Sequence, residues 1–273
     1  MPSYAIVGGS RGIGLEFVRQ LATSAENIVF VTVRDKTKST HLSELISELP
    51  YRNVHVLQAD VVDPHAMKAA AAEAAKISGG ILDVLINNAA RMEPANMFKG
   101  FEDFDSEDEL DTEFIESFKV NVLGVVHAVN AFLPLLRKGT TKKIIVIGSG
   151  AGERTFVWNM RMNSMVAYGT TKAATNMVST KYAAQLEPEG FVVVSISPGF
   201  VDVSATATGE YDEAGKAEMA RQVENLRKVR QDSDLKPLTP EQSVRTVLKV
   251  IGLVGPADSG SFVASAEARA MQG

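Results

Sequence analysis

The sequence predicts one α/β domain built on a doubly wound sheet of seven parallel strands, with helices packed on both faces. Short apolar runs rich in Val and Ile alternate with longer helical patterns along the chain. These runs are apolar on both faces, as the strands of a buried parallel sheet are. The expected strands are Tyr4–Val7, Ile28–Val33, Val54–Gln58, Val84–Ile86, Lys143–Ile147, Val192–Ile196 and Ser261–Ala264, and the expected helices lie near 13–24, 41–49, 65–78, 107–137, 168–187, 213–232 and 240–253.

Start signals support several of these helices. Asp63 precedes a proline that would occupy the first helical turn. Thr239 is followed by Gln242, and Ser106 by Glu109, which is the spacing of a capping box. We therefore expect helices to begin directly after these three capping residues.

Neither an internal repeat nor a composition shift divides the chain, so a single domain over 1–273 is expected. Residues 203–237 differ from the rest because they are polar and carry no strand pattern. They follow the sixth strand, at the carboxyl edge of the sheet, where doubly wound folds bind their ligands. We expect this segment to form an insertion that covers the substrate as a lid.

The composition excludes several classes of function. The net charge of −5 gives no electrostatic attraction to nucleic acid or to anionic lipid. The chain has no cysteine, which excludes disulfides and thiolate metal sites. No basic segment precedes a long apolar stretch at the start, and no unbroken apolar run reaches the roughly 18 residues of a membrane span. A cytoplasmic protein is expected.

The first predicted strand ends in a glycine-rich turn that leads directly into a helix. Glycine allows positive φ angles and a close approach of the backbone to a ligand, and a helix start offers free N–H groups to a pyrophosphate. The spacing is G-x-x-x-G-x-G, since Phe17 occupies the place of the last glycine of the usual dinucleotide fingerprint. The alternative is a tight turn with no ligand. The residues expected to contact a dinucleotide here are Gly8, Ser10, Arg11, Gly12, Ile13 and Gly14.

The same turn also fits the G-x-S-x-G pattern that carries the nucleophile of α/β hydrolases. That chemistry needs a histidine late in the chain, whereas all four histidines (His41, His55, His65 and His127) lie in the first half. The hydrolase interpretation is therefore disfavoured.

Tyr168 and Lys172 are four residues apart on a predicted helix, so their side chains share one face. A free tyrosine has a pKa of about 10 and is a poor acid or base at neutral pH. A neighbouring ammonium group favours the phenolate and lowers that pKa, which makes tyrosine a usable general acid or base. The alternative is an ordinary amphipathic helix without catalytic function.

Further short motifs follow the predicted strands in order. They are Asp60-Val61 after strand three, Asn87-Asn88-Ala89-Ala90 after strand four, Asn121 within the long helix, Ser149 after strand five and Pro198-Gly199 after strand six. With the glycine-rich turn and the Tyr168–Lys172 pair, this order and spacing resemble the short-chain dehydrogenase/reductase family. The resemblance runs from Tyr4 to about Ala264 and is greatest for its NADP(H)-dependent carbonyl-reductase branch, which includes the Sniffer-like enzymes.

The resemblance implies a Rossmann-type fold and a hydride-transfer mechanism. Ser149 would bind the substrate oxygen, and Tyr168 would donate its proton to the forming alkoxide. Lys172 would hold the nicotinamide ribose and lower the pKa of Tyr168, while Asn121 would hold a water in a proton relay. The cofactor would also contact Asp60, Val61, Asn88, Ala89, Tyr168, Lys172, Pro198, Gly199 and Val201.

Departures from the family motifs at Val7, Ala90 and Gly148 remove no group that does chemistry. Val203 stands where a threonine often contacts the nicotinamide amide, which puts that contact in doubt. Two other functions on the same fold stay open, because a fold alone never proves catalysis. One is a cofactor-binding regulator, and the other is a biosynthetic cyclase or isomerase that uses the same site.

The choice between cofactors depends on the end of the second strand. NAD-dependent folds carry an acid there, but this chain has Val33 followed by Arg34. Arg11 and Arg34 together would suit the 2′-phosphate of NADP(H). Asp35 complicates this interpretation, because it would occupy the acid's position if the alignment with the family motif were shifted. Both arginines could instead be solvated surface residues.

The segment between Ser149 and Tyr168 is rich in Met, Phe and Trp. We expect Phe156, Trp158 and Met160 to form an apolar wall over the substrate, although a loop packed on the core would have the same composition. The expected substrate is a bulky, largely apolar ketone or aldehyde.

The resemblance also implies a homodimer or homotetramer that pairs through the helices at 107–137 and 168–187. An apolar stripe on the first of these, formed by Val122, Val125, Val126 and Val129, would serve the interface in part and the sheet in part.

Nine acidic residues fall within 102–116. They could form a metal cluster, but a solvated helix start is the preferred interpretation, because acids there interact favourably with the helix dipole. His127 is expected in the core or at an interface. No metal site is therefore predicted.

Overall fold

In this computed structural model, which describes residues 1–231 and 235–264, seven parallel strands form one sheet. They are β1 Ser3–Val7, β2 Ile28–Val33, β3 Val54–Gln58, β4 Val84–Asn87, β5 Lys143–Ile147, β6 Val192–Ile196 and β7 Phe262–Val263. Their order across the sheet is β3-β2-β1-β4-β5-β6-β7. The direction of winding reverses between β1 and β4, which creates the crevice where doubly wound sheets bind ligands.

Helices cover both faces of this sheet, as predicted. They are α1 Gly12–Ala22, α2 Thr40–Glu48, α3 Pro64–Ser78, α4 Glu107–Phe118, α5 Gly124–Leu136, α6 Arg154–Met160, α7 Val166–Leu186, α8 Glu213–Arg230 and α9 Pro240–Leu253. The α1, α2 and α9 helices bury apolar side chains on one face, and α3, α5 and α7 do so on the other. The predicted fold class is confirmed.

Successive residues of one strand enter opposite cores, which explains why the strands are apolar throughout. On β2, Phe30 packs with the side of α3 and α5, whereas Val29 and Val31 pack with the side of α1 and α9. All three are fully buried. Burial of a side chain of this size contributes about 1.5–3 kcal/mol, so the two cores hold β2 from both faces.

Two of the three predicted caps form completely. The Asp63 side chain accepts hydrogen bonds from the first turn of α3, and Thr239 forms a full capping box with Gln242 at α9. Ser106 caps α4 by accepting from the Glu109 N–H, but the reciprocal bond is missing. The Glu109 carboxylate is instead bound to the Lys99 ammonium at 2.7 Å and to the N–H of residue 105.

The predicted helix at 107–137 is interrupted by one π-helical turn, Lys119–Leu123, between α4 and α5. Such turns insert one extra residue per turn and are frequent at functional sites. The run Glu107–Leu136 is long and apolar enough to cross a membrane, but 61% of its most apolar window is buried in the fold. Packing against the sheet thus accounts for its composition.

The apolar stripe of α5 serves the core more than any interface. Val122, Val125 and Val129 are buried, and only Val126 is partly exposed. The apolar residues that α4, the π turn and α7 do expose are Ile115, Phe118, Leu123 and Met177.

Residues 203–237 form an insertion whose ends are tied together at the edge of the sheet. Val201 bridges Leu238, and the N–H of Asp202 donates to the Leu238 carbonyl at 2.9 Å. Between these ends lie a 3₁₀ turn at Ser204–Thr206 and the helix α8. The predicted end of this helix, at residue 232, lies outside the described residues.

Candidate active site

The glycine-rich turn lies at the carboxyl end of β1, beside β4. Gly8 has φ +84°, and its carbonyl accepts a hydrogen bond of 2.6 Å from the Asn88 side chain. A Cβ atom added at Gly14 would overlap that carbonyl oxygen and the Asn88 amide nitrogen. The backbone of Gly8 and the Asn88 side chain therefore lie directly against the start of α1, and they form a cradle that only glycine permits.

The inserted segment covers this cradle. The N–H of Gly12 donates to the Thr206 hydroxyl at 2.9 Å, and the Arg11 guanidinium donates to the Thr208 hydroxyl. The Val203 side chain lies 3.5 Å from the position of a Cβ at Gly12. The sequence contained no signal for Thr206 or Thr208, because nearly 200 positions separate them from the turn that they contact.

Two arginines converge next to the turn. Burial lowers the pKa of Arg11, and the neighbouring positive charge of Arg34 lowers it further. The Asp35 carboxylate accepts from both the N–H and the hydroxyl of Thr37. These bonds hold the pKa of Asp35 below its ordinary value. Val33 ends β2 and is buried. The structure thus brings two cations close together beside the turn.

The motif after β3 lies between β3 and the long helix. The Asp60 side chain accepts from the N–H of Val62 at 3.1 Å. Val61 is buried and packs closely against Gly124. A Cβ atom added at Gly124 would lie 2.8 Å from the Val61 side chain. The Val61 carbonyl lies 2.8 Å from His127 Nδ1. His127, which was expected in the core or at an interface, is half-buried and has this hydrogen-bond partner within the fold.

Ser149, Tyr168 and Lys172 come together at the carboxyl end of β5. The Ser149 hydroxyl lies close enough to the Tyr168 phenol to oppose the rise in its pKa. The Lys172 ammonium lies 5.5 Å from the centre of the Tyr168 ring and donates to the Ile147 carbonyl at 2.7 Å. Gly152 lets α7 approach this closely, because a Cβ there would lie 2.5 Å from the backbone of Lys172. The three residues therefore share one small volume.

Burial controls the ionisation of this pair. It raises the pKa of Tyr168 to about 12, which the hydrogen bond from Ser149 opposes only in part and the neighbouring Tyr211 reinforces. It lowers the pKa of Lys172 to about 8. Burial is the largest of the causes that shift the pKa of Tyr168, so the net shift is upward instead of the lowering expected from Lys172. At neutral pH the tyrosine is a protonated donor.

Asn121 is fully buried in the π turn and connects two parts of the site. Its Oδ1 accepts from the N–H of Arg91 at 2.6 Å, and its Nδ2 donates to the Thr171 hydroxyl at 2.9 Å. The Thr171 hydroxyl in turn donates to the Tyr168 carbonyl at 2.7 Å. Asn121 thus links the loop after β4 to the helix that carries the tyrosine.

The predicted apolar wall is divided among three environments. The Phe156 ring lies beside Gly150, the residue after Ser149, because a Cβ atom added at Gly150 would be 3.0 Å from the ring. Met160 is buried, and its carbonyl accepts from Asn225 of α8. Trp158 is 68% exposed, with the Arg161 guanidinium 4.1 Å above its ring. The short helix α6, which the sequence did not predict, turns Trp158 outward.

The Pro198-Gly199 motif forms the base of the inserted segment. Gly199 has φ +88°, and the Pro198 carbonyl accepts from the buried Ser243 hydroxyl at 2.7 Å. Two residues further on, Val201 makes the bridge to Leu238 that closes the segment. The backbone between β6 and the insertion is therefore held in place by these contacts.

A cavity of about 530 Å³ lies where three segments converge. Its lining includes Phe98 from the loop after β4, Ser164 from the loop before α7, and Glu218 from α8. The ring of Tyr211 packs edge-on against Phe98, with centroids 5.0 Å apart. Tyr211 was missed by sequence reasoning, since no pattern marks a lone tyrosine in a polar segment as a neighbour of Tyr168.

The acidic residues of 102–116 are used in local contacts. Glu109 pairs with Lys99 at 2.7 Å, and Glu113 pairs with Arg91 at 2.8 Å. Among the described residues, no group of three or more His, Asp or Glu side chains is arranged to hold a metal ion. The cluster thus supplies caps and ion pairs.

The chain belongs to the short-chain dehydrogenase family, whose model matches residues 3–214. It is 41% identical over 252 residues to the short-chain dehydrogenase/reductase AacuF of Aspergillus aculeatus, covering 92% of each chain. It is 38% identical over 271 residues to the short chain dehydrogenase VirK of Hypocrea virens, covering 96% of this chain and 97% of that protein.

Solved structures give the same result. The NADPH-bound carbonyl reductase from chicken fatty liver matches with a TM-score of 0.76 and 26% identity, over 97% of this chain and 92% of that one. The carbonyl reductase Sniffer of D. melanogaster matches with a TM-score of 0.76 and 23% identity, over 97% of both chains, which supports the fold. The predicted family and its likeness to carbonyl reductases are confirmed.

Proposed function

We propose that the protein reduces a ketone or aldehyde to an alcohol with NADPH, and that Tyr168 is the general acid. One observation carries the proposal, namely the meeting of Ser149, Tyr168 and Lys172 at the edge of the sheet, beside the glycine cradle. Hydroxyl, phenol and ammonium together can bind and protonate one oxygen atom. The family is one of oxidoreductases, which agrees with this chemistry.

The residues present fit NADP(H). The cradle at Gly8 and Gly14 leaves no room for side chains, as a backbone that must approach a pyrophosphate requires. Arg11 and Arg34 repel each other unless an anion lies between them, and a 2′-phosphate is such an anion. When bound, the reduced nicotinamide supplies the hydride. The chicken carbonyl reductase, which is similar to this chain, is NADPH-bound.

The chain's own residues then handle the substrate oxygen. The hydroxyls of Ser149 and Tyr168 donate hydrogen bonds to it and so orient the carbonyl. As negative charge develops on the oxygen, Tyr168 transfers its phenolic proton. The charged Lys172 stabilises the phenolate that remains, an effect that is strong because the group is 4% exposed. Asn121 holds the backbone around Tyr168 and is proposed to position the water that returns the proton.

The test is NADPH oxidation by the purified protein with a panel of carbonyl compounds, comparing wild type with Tyr168→Phe. This change keeps the ring and removes the transferable proton. We expect kcat to fall by about 10²–10⁴-fold, with the Kd for NADPH nearly unchanged. Tyr182→Phe is the matched control, because Tyr182 lies on the same helix but bonds to Asn130.

Other outcomes identify the alternatives. A regulator would bind NADPH without turnover, and a cyclase or isomerase would convert substrate without NADPH oxidation. Near-normal kcat in Tyr168→Phe would assign the acid to another group.

A sharper cofactor prediction concerns Arg34→Asp. Removing the cation and adding an acid at the ribose should weaken NADPH binding by about 10–150-fold, the equivalent of roughly 1.5–3 kcal/mol for a charged hydrogen bond. The Kd for NADH should change little or improve. Titration of both dinucleotides against wild type and variant measures this, and equal or tighter binding of NADH by the wild type would contradict the NADP(H) proposal.

The proposed substrate is bulky and largely apolar. Phe156 beside the serine turn and the Phe98–Tyr211 ring pair place aromatic surface around the site. A panel that compares aromatic or polycyclic ketones with small sugars and keto acids tests this proposal. Higher kcat/KM for the small charged compounds would contradict it while leaving the oxidoreductase assignment intact.

The protein is further proposed to form a homodimer or homotetramer through the helical segment 107–137, which holds α4, the π turn and α5, and through α7, as the family resemblance implies. Ile115, Phe118, Leu123 and Met177 expose apolar surface on these helices and the π turn between α4 and α5. A monomeric mass by light scattering at micromolar concentration would contradict this assembly.

A further inference from the structure

Glu113 is a buried carboxylate that the proposed reaction does not use. It lies in the middle of α4 and is 6% exposed. Its Oε2 accepts from the Arg91 guanidinium at 2.8 Å and from the Asn96 amide at 3.1 Å, and its Oε1 accepts from the Ser117 hydroxyl at 2.9 Å. A buried charge held by three donors fixes those donors strongly, since losing one partner leaves an uncompensated charge.

Arg91 is the residue held most firmly by this carboxylate. It directly follows the β4 motif, at the crevice where the sheet reverses direction. Its side chain is anchored by Glu113, and its backbone is anchored by Asn121, which accepts from its N–H at 2.6 Å and donates to its carbonyl at 3.3 Å. Both the side chain and the backbone of Arg91 are thus held in place, and they fix the loop after β4.

The clamp continues to the catalytic helix. The same Asn121 amide group donates to the Thr171 hydroxyl at 2.9 Å, and that hydroxyl donates to the Tyr168 carbonyl at 2.7 Å. Thr171 is 1% exposed, so water does not compete for these bonds. An unbroken chain of hydrogen bonds therefore runs from Glu113 through Arg91, Asn121 and Thr171 to the backbone of the tyrosine.

We propose that Glu113 and Arg91 are positioning residues for Tyr168, acting through Asn121 and Thr171. The ion pair fixes Asn121, and Asn121 fixes the first turn of α7, which carries the phenol. The inference rests on the proposed function, because it assigns these residues to the placement of the general acid. A misplacement of the acid by a fraction of an ångström is enough to slow proton transfer.

The test begins with Glu113→Gln, which keeps the shape of the side chain and removes its charge. We expect kcat to fall by about 10–100-fold, with the Kd for NADPH within about twofold of wild type. Glu189→Gln is the matched control. Glu189 forms an equally short pair with Arg137, at 2.7 and 2.8 Å, but that pair is exposed and outside the chain of bonds to Tyr168. The control should keep wild-type kcat.

A double-variant cycle separates positioning from a general loss of stability. Thr171→Val breaks the last two bonds of the chain, from Asn121 and to the Tyr168 carbonyl, while nearly keeping the side-chain volume. If the chain transmits the effect, Glu113→Gln and Thr171→Val together should lower kcat little more than either does alone. Effects that multiply would overturn the proposal, as would wild-type kcat in Glu113→Gln. If Glu113→Gln does not fold, Arg91→Lys replaces it in the test. This change keeps the charge but loses the planar guanidinium group.

Hydrogen–deuterium exchange keeps this inference distinguishable from the proposed function. The peptide that contains Tyr168 and Thr171 should exchange faster in Glu113→Gln than in wild type or Glu189→Gln, with or without turnover. Unchanged exchange would overturn the positioning proposal even if Tyr168→Phe proves inactive. Faster exchange in a protein that oxidises no NADPH would support the positioning and contradict only the reaction.

Discussion

The glycine cradle and the inserted segment over it are held by different forces. At the cradle, backbone atoms of Gly8 and Gly14 touch directly, and the strands beneath them are fully buried. The insertion docks through the Tyr211 ring on Phe98 and through polar side chains: Glu218 accepts from the Ser164 hydroxyl at 2.7 Å, and Arg221 donates to Asn163 at 2.7 Å. The cradle is fixed by close packing of backbone, whereas the insertion depends in large part on exchangeable side-chain hydrogen bonds.

This difference indicates which region can move. Water can replace a side-chain hydrogen bond at a net cost of about 0.5–1.5 kcal/mol. Close-packed backbone offers no such substitute, so a disturbance there requires the surrounding strands to shift. The cradle is therefore a rigid platform, whereas α8 rests on a contact that can open at low cost. The three predictions below test this comparison, beginning with the largest expected effect.

Gly14→Ala should nearly abolish cofactor binding. The added methyl group overlaps the Gly8 carbonyl, which is backbone and cannot turn aside, so β1 and α1 must separate. We expect the free energy of unfolding to fall by about 1–3 kcal/mol, with NADPH binding lost at micromolar protein. Thermal unfolding and fluorescence titration measure the two effects.

Gly252→Ala is the matched control for this change. It lies within α9, where an added Cβ meets nothing within 4 Å, so it should leave binding intact and slightly stabilise the helix. Wild-type affinity in Gly14→Ala would show that the cradle is not rigid.

The rate of reduction should fall as the pH rises through about 8. Burial lowers the pKa of Lys172 to about 8, and its charged form is the active one, so activity is full below that pH and lost above it. Tyr168, with a pKa of about 12, stays protonated over the same range. A pH profile of kcat/KM measures this decline.

Lys172→Arg identifies the group responsible. Arginine stays charged at high pH, so the decline of kcat/KM should move above the measured pH range, even if the variant is slower. A decline that keeps its position in Lys172→Arg would assign it to another group. Variants of the insertion should not move it, because the titrating group, Lys172, lies on α7, outside the insertion.

Ser164→Ala should have the smallest effect. The hydroxyl donates to Glu218 and accepts from Gln222, so its removal weakens the docking of α8 by about 1 kcal/mol. We expect the KM for substrate to rise by roughly 2–10-fold, with kcat unchanged or higher where release of product limits turnover. Steady-state kinetics measures both constants.

The control here is Lys216→Ala, which breaks only an exposed pair with Glu213 at the start of the same helix. It should leave both constants at wild-type values. A loss of kcat in Ser164→Ala, without a change in KM, would contradict a simple docking contact.

Local chemistry predicted much of this molecule. The strands could be found because each must be apolar on both faces to lie in a doubly covered sheet. The glycine turn and the spacing of Tyr168 and Lys172 could be found because steric and helical rules act within a few residues. Asp63 and Thr239 were identified as caps for the same reason.

The tertiary structure alone decided the rest, since it depends on residues far apart in sequence. Nothing local indicates that Thr206 covers Gly12, or that Glu113 reaches Tyr168 through three other side chains. The direction in which the pKa of Tyr168 shifts also could not be predicted from the sequence. Its neighbour Lys172 was visible four residues away, but the desolvation that raises the pKa comes from every element packed around the ring. Proximity along the chain is fixed by covalent geometry, whereas burial is a property of the whole fold.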